Sequence, residues 1–151
     1  WSPKPSGTKY QWYRNGVAIS KATKSTYKLT TTDRGKTITV RVTGSLSGYG
    51  TVALTSAGKA VPKVFSKTGT PTISGTLRSG YTLTVKRGTW SPAATYTYQW
   101  YRNGAKISGA TKSTYRLTTK DKGKKITVKV TGKKSGYLTV TKTSAAKTIA
   151  K

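Results

Sequence analysis

Asp33 and Asp121 are the only acidic residues among 151, and the chain has no His, Cys or Met. That inventory fixes which chemistry is open. Without imidazole or thiolate there is no general base poised near neutral pH, no cysteine nucleophile, no disulfide and no zinc site of nitrogen and sulfur ligands. A carboxylate pair of the glycosidase type would need one Asp from each half of the chain. A calcium cage needs several carboxylates and cannot be built from two. Each Asp stands two residues before a glycine, in Asp33-Arg34-Gly35 and Asp121-Lys122-Gly123. An acid so placed in a turn usually bonds its own backbone. The expectation is a non-enzymatic binding or structural module that carries no cofactor and no metal.

Cations and aromatics hold the remaining chemistry. There are 29 Lys plus Arg, for a formal net charge of +27, and Lys outnumbers Arg by 22 to 7. Eighteen of these bases follow Val64. They concentrate in Lys120–Lys125 and at Lys129, Lys133 and Lys134, so the candidate contact residues are Lys122, Lys124, Lys125, Lys129, Lys133 and Lys134. Charge of this density exceeds what solubility requires, and its self-repulsion opposes compaction. A polyanionic partner offsets it, either an anionic cell-wall polymer or glycan, or nucleic acid. Arg forks are few and no helix is available for a groove, so nucleic-acid binding would be non-specific and steeply salt-dependent. The longest apolar runs are a few residues, which gives no membrane span.

Among the aromatics, Tyr13 and Tyr101 are offset by one from Trp12 and Trp100 and are expected on an outer sheet face. With Gln11, Gln99, Arg14 and Arg102 they would form an aromatic and cationic patch for glycan or bases. The competing reading is ordinary cross-strand pairing. Trp1 and Trp90 each precede Ser-Pro. A loop Trp there either stacks on the apolar face of a pyranose or caps one end of the fold.

What positions these residues is an internal repeat. YQWYRNG at Tyr10–Gly16 recurs at Tyr98–Gly104, an offset of 88, and thirty of the forty positions from Tyr10 to Tyr49 match their partners. The chain therefore reads as two copies of one domain, 1–63 and 64–151. In the second copy, Tyr81/Leu83/Val85, Tyr98/Trp100, Tyr115/Leu117, Ile126/Val128/Val130 and Leu138/Val140 alternate with polar residues, and Ile73–Leu77 makes a short opening strand. Period two throughout, punctuated by Asn103-Gly104, Ser108-Gly109, Asp121–Gly123 and Ser135-Gly136, predicts an all-β antiparallel sandwich of about seven strands. The first copy has no counterpart of 69–89. It is expected to show an open edge and half a core. Two readings stay open: opening strands lying upstream, or strand exchange with a neighbouring chain.

YQWYRNG, then Tyr115-x-Leu117, then Asp121-x-Gly123-x-x-Ile126-x-Val128, resembles the immunoglobulin-like fold, whose third strand carries a core Trp. Trp12 and Trp100 match that Trp, and Asp33 and Asp121 match its turn acid. Leu83 and Val128 stand where the cysteines of antibody-type domains would be, and the corner tyrosine is missing. The wording GxW-SP, YQWYRNGxxI, ATxSTYxLT, DxGxxIxVxVTG and SGY resembles the bacterial Ig-like repeats of secreted and surface proteins of Gram-positive bacteria, actinobacteria in particular. There such repeats often accompany hydrolases as accessory modules. The resemblance implies two tandem Ig-like sandwiches and a secreted or cell-surface location. It implies little about ligand, because the fold hosts many functions.

Overall fold

A computed structural model describes residues 2 and 4–151. The chain divides into two compact units, Trp1–Lys63 and Val64–Lys151. The first contains β1 (Gly7–Arg14), β2 (Val17–Ala18), β3 (Thr37–Ser45), β4 (Val52–Thr55) and β5 (Lys59–Ala60). The second contains β6 (Thr72–Ser74), β7 (Thr82–Lys86), β8 (Thr95–Arg102), β9 (Ala105–Lys106), β10 (Thr114–Arg116), β11 (Lys125–Lys133), β12 (Val140–Thr143) and β13 (Lys147–Thr148). Single-turn 3-10 helices at Thr31–Asp33 and Thr119–Asp121 are the helical elements of the described residues. None is long and apolar enough to cross a membrane. All pairings between these strands are antiparallel.

Local chemistry sets the register of the long strands. Asn15-Gly16 and Asn103-Gly104 close the β1–β2 and β8–β9 hairpins with positive φ at both positions, 46° and 81° in the first, 46° and 82° in the second. That is the two-residue turn whose twist suits antiparallel strands, and Asn-Gly tolerates its left-handed backbone best. Each Asn also accepts a hydrogen bond through Oδ1, from the Thr37 or the Lys125 amide, at 2.8 Å. With the turn fixed, Trp12 lies opposite Val40 and Trp100 opposite Val128.

In the second unit, one sheet runs β12-β11-β8-β9 with β13 also on β11, and the other runs β10-β7-β6. Side chains from both sheets meet in one buried cluster of Ile73, Leu83, Trp100, Leu117, Ile126, Val128 and Ile149. Leu83 of β7 and Val128 of β11 both belong to it, so the two sheets are joined by apolar packing. At one end, Trp90 lies edge-on to Phe65 and to Tyr96, with ring centroids 5.4 and 5.6 Å away. Gly132 of β11 makes room for it: a Cβ there would fall 2.6 Å from the Trp90 ring. The opening strand is shorter than the alternation suggests, ending at Ser74, because Gly75 turns the chain at φ 122°.

The first unit repeats the larger sheet, in the order β2-β1-β3-β4 with β5 on β3, and has no second sheet among the described residues. Residues 26–28, the counterpart of β10, are not in a strand. Leu29 is 53% exposed where its counterpart Leu117 is 1% exposed. Trp12, Val40 and Val61 are only half-buried. With Tyr27, Leu29 and Ile38 they line an open hollow of about 480 Å³. The first unit thus exposes apolar residues whose counterparts in the second are buried, the open half-core expected from its sequence.

Candidate functional site

Strand alternation sorts the polar residues of the second unit. On β11, Ile126, Val128 and Val130 point into the core, so Lys125, Thr127, Lys129, Thr131 and Lys133 line the opposite face. Register then places their neighbours. Tyr101 lies across from Thr127, Gln99 from Lys129, Thr97 from Thr131 and Thr95 from Lys133. On the other side of β11, Thr143 and Thr141 face Lys129 and Thr131, and Thr148 faces Lys125. Lys106 of β9 pairs with Tyr101. The outer face is thus a band of threonines crossed by Lys106, Lys125, Lys129 and Lys133, all exposed. At about 3.3 Å per residue, the three lysines of β11 stand roughly 13 Å apart.

Internal contacts brace this face. The Lys129 ammonium sits over the Tyr101 ring, 4.8 Å from its centroid. Thr131 and Thr141 share a hydroxyl hydrogen bond of 2.8 Å, and the Thr95 hydroxyl donates to the Lys133 carbonyl at 3.1 Å. Where β11 ends, Lys133 and Lys134 join Ala93, Ala94, Thr95 and Ser135 around an open depression of about 530 Å³. Lys122 and Lys124 are exposed in the turn that leads into the other end of β11.

No acidic side chain competes for these ammonium groups. Asp33 and Asp121 are both fully buried. Asp121 takes the Arg102 Nε–H at 2.6 Å, the Tyr115 hydroxyl at 2.9 Å, and the amide and hydroxyl of Thr118 at 2.7 and 2.9 Å. Asp33 has the same partners in Arg14, Tyr27 and Thr30, at 2.6 to 3.0 Å. Burial pushes the Asp33 carboxyl up, but the Thr30 amide, the Arg14 guanidinium and the Thr30 and Tyr27 hydroxyls outweigh it and hold the group at about 2. Asp121 is likewise lowered: burial raises it, and the Arg102, Thr118 and Tyr115 hydrogen bonds prevail. Each Asp is thus ion-paired with its arginine, at 2.7 Å to Arg14 and 2.6 Å to Arg102. Both carboxylates are spent inside the fold, and its accessible charge is that of the bases.

No family model matches the sequence, and no curated protein does either.

The residues singled out from sequence fall into distinct places. Lys125, Lys129, Lys133 and Tyr101 share the outer face of one sheet, with Lys134 at its edge. Lys122 and Lys124 lie beyond its other end. Tyr13 holds the equivalent place to Tyr101 on β1, half-buried. Trp1 lies outside the described residues. Two expectations are corrected, and the open choice for Trp90 is decided. Arg14 and Arg102 do not flank Tyr13 and Tyr101; two residues from Trp12 and Trp100, they share the tryptophan face and are committed to buried Asp. Gln11 and Gln99 turn their amides onto loop carbonyls, including Ile19 at 2.9 Å and Ile107 at 2.7 Å, so they brace loops rather than offer free donors. Trp90 is the cap and not the platform: it is 7% exposed, and its Nε1–H is given to the Arg87 carbonyl at 3.2 Å.

Sequence reading passed over Lys106, Tyr27 and Tyr115. The hairpin rule could have found Lys106, since a two-residue Asn-Gly turn places it across from Tyr101. For the tyrosines the available signal was Thr-x-x-Asp at Thr30–Asp33 and Thr118–Asp121, a capping pattern that turns the acid inward.

Proposed function

We propose that this chain is a non-catalytic, polyanion-binding module of the bacterial Ig-like type, which works outside the cell by attaching to anionic cell-envelope polymers or glycans. The observation that carries the reading is the outer face of the β8–β11–β12 sheet. Lysines repeat along one strand there, threonine hydroxyls lie between them, and every carboxylate side chain of the protein is buried elsewhere. Flexible ammonium groups spaced roughly 13 Å apart suit a chain of repeating negative charges better than a single compact anion. Threonine hydroxyls add hydrogen bonds to phosphate or sugar oxygens. Affinity of this kind is additive over contacts and falls with salt.

The test is cosedimentation with purified Gram-positive cell walls, before and after their anionic polymers are stripped. Binding that is strong to intact walls and lost on stripping supports the reading. Equal binding to both removes the polymer from it, and no binding at physiological salt reduces the chain to a spacer between other domains. A triple Lys125→Ser, Lys129→Ser, Lys133→Ser variant should bind more weakly and depend less on salt. A gel-shift salt series with duplex DNA asks about the other polyanion: affinity equal to that for the wall polymer would make the attachment generic.

A further inference from the structure

We infer that the open apolar face of the first unit is a docking site for a β-hairpin with the chemistry of β6–β7, two short strands bearing Ile, Leu and Val on one side and Thr, Ser and Lys on the other. The repeat identifies the occupant. At the 88-residue offset, Trp12, Leu29, Ile38, Val40 and Val61 correspond to Trp100, Leu117, Ile126, Val128 and Ile149. In the second unit those five are buried, with Ile73 and Leu83 in the same cluster and Leu77 and Val85 packed against it. The hollow of the first unit is what that packing leaves when the hairpin is taken away.

Backbone chemistry points to the same occupant independently. β7 pairs with β10, Leu83 opposite Tyr115. Around it, the Leu117 amide donates to the Tyr81 carbonyl at 2.8 Å, the Gly80 amide to the Leu117 carbonyl at 2.9 Å, and the Val85 amide to the Ser113 carbonyl at 2.9 Å. The equivalent stretch of the first unit, residues 25–29, has no strand pairing among the described residues. Whatever closes this face must bring main-chain donors and acceptors in an extended edge as well as apolar side chains. A helix keeps its main-chain groups for itself, and a lipid has none. Strand addition meets both needs. A second copy of the chain is a poor donor. Its β6–β7 holds Ile73 and Leu83 in its own core, at 7% and 0% exposure, and two chains of +27 repel each other.

The probe is a synthetic peptide of residues 70–89, added to the full chain while amide exchange is followed by NMR. Saturable one-to-one binding is expected, with amides of residues 26–29 slowed at least about tenfold and those of 114–117 unchanged. Leu29→Asp in the chain should weaken binding at least about tenfold, and so should Leu83→Asp in the peptide, each about 1.4 kcal/mol. Leu29 is mostly exposed, so its substitution should leave the free chain folded. Because an isolated hairpin is only marginally structured in water, a second arm joins the segment directly ahead of residue 1, where its effective concentration is on the order of mM. No slowing at 26–29 in either arm overturns the proposal. So does concentration-dependent dimerisation that protects those amides without peptide.

Discussion

The two copies of this repeat share thirty of forty residues over their central stretch, yet one has a closed core and the other an open one. What survives in the open copy is informative. Both asparagine-glycine hairpins keep φ within a degree, and both Arg–Asp–Tyr–Thr networks keep the same partners at nearly the same distances. The Trp12 indole donates to the Lys24 carbonyl at 2.9 Å, as Trp100 does to Lys112 at 3.0 Å. Such contacts span at most 22 residues, and they persist in the first unit although residues 26–28 are not in a strand. Burial of Leu29 and Val61 needs partners from a second sheet, and no local signal supplies those. Polar latches are thus a property of the repeat, and the core is a property of the pair of sheets.

The largest expected contrast follows from that division. Leu117→Ala should cost the second unit about 2–5 kcal/mol, the range for truncating a fully buried leucine. Leu29→Ala, the same change in the first copy, should cost under about 0.5 kcal/mol, as for an exposed site. Denaturant titration followed by residue-resolved exchange would report each unit separately. Equal costs would mean that Leu29 is covered in solution, and would break the comparison.

Next comes the latch, where the copies should agree. Asp121→Asn removes the charge facing Arg102 and puts an NH2 where Oδ2 accepts from Tyr115 and Thr118, and should cost about 2–4 kcal/mol. Asp33→Asn should do much the same in the first unit. The pH dependence has a definite sign. A carboxyl held at about 2 in the folded chain and near 3.8 when free binds fewer protons folded than unfolded. Its contribution is therefore complete above about pH 4 and is lost as pH falls toward 2. The sequence has only two acidic side chains, so this acid limb should flatten in the double Asn variant. Urea midpoints from pH 6 to pH 2 would check it.

Charge separates the copies again. At the positions of Lys106, Lys125, Lys133 and Lys134 the first copy has Ala18, Thr37, Ser45 and Leu46, and only Arg41 stands where Lys129 does. Lys9, in the place of Thr97, is the one base it adds to that face of its sheet. Substituting Lys125, Lys129 and Lys133 by Ser should therefore lower polyanion affinity well beyond a Lys9→Ser, Arg41→Ser double change. The log–log salt slope should drop in proportion to the charges removed. Equal losses would place the attachment on net charge alone rather than on one face.

Much of this was legible in the residues. Period-two alternation located Trp100, Ile126, Val128 and Val130 on one face, and the missing counterpart of 69–89 foretold the open half-core. The arginines were not placed, although Trp100-x-Arg102 states their parity as plainly as Tyr98-x-Trp100 does. A guanidinium pointing inward makes sense only beside a buried anion, and Asp121 is nineteen residues away, tucked under by a 3-10 turn. Such long-range pairing leaves no periodic trace. The identical Arg–Asp spacing in both copies was the one hint. Trp90 illustrates a different limit: its burial depends on Gly132 and Phe65, and the loop sequence around it says nothing of either.

The smallest expected effect concerns the turns, and it tests whether the copies are equivalent where no core is involved. Asn15 and Asn103 both hold φ at 46° in positions where side chains other than Asn or Gly are strained. Each caps a strand amide through Oδ1, and both turns lie on the larger sheet that the two units share. Asn103→Ala should cost about 1–2 kcal/mol from the left-handed backbone, with the lost hydrogen bond adding little at an exposed site. Asn15→Ala should match it to within a few tenths, read as exchange rates at the Lys125 and Thr37 amides. A much smaller cost at Asn15 would show that the open copy relaxes even its hairpin, so that the second sheet stabilises the turn as well as the core.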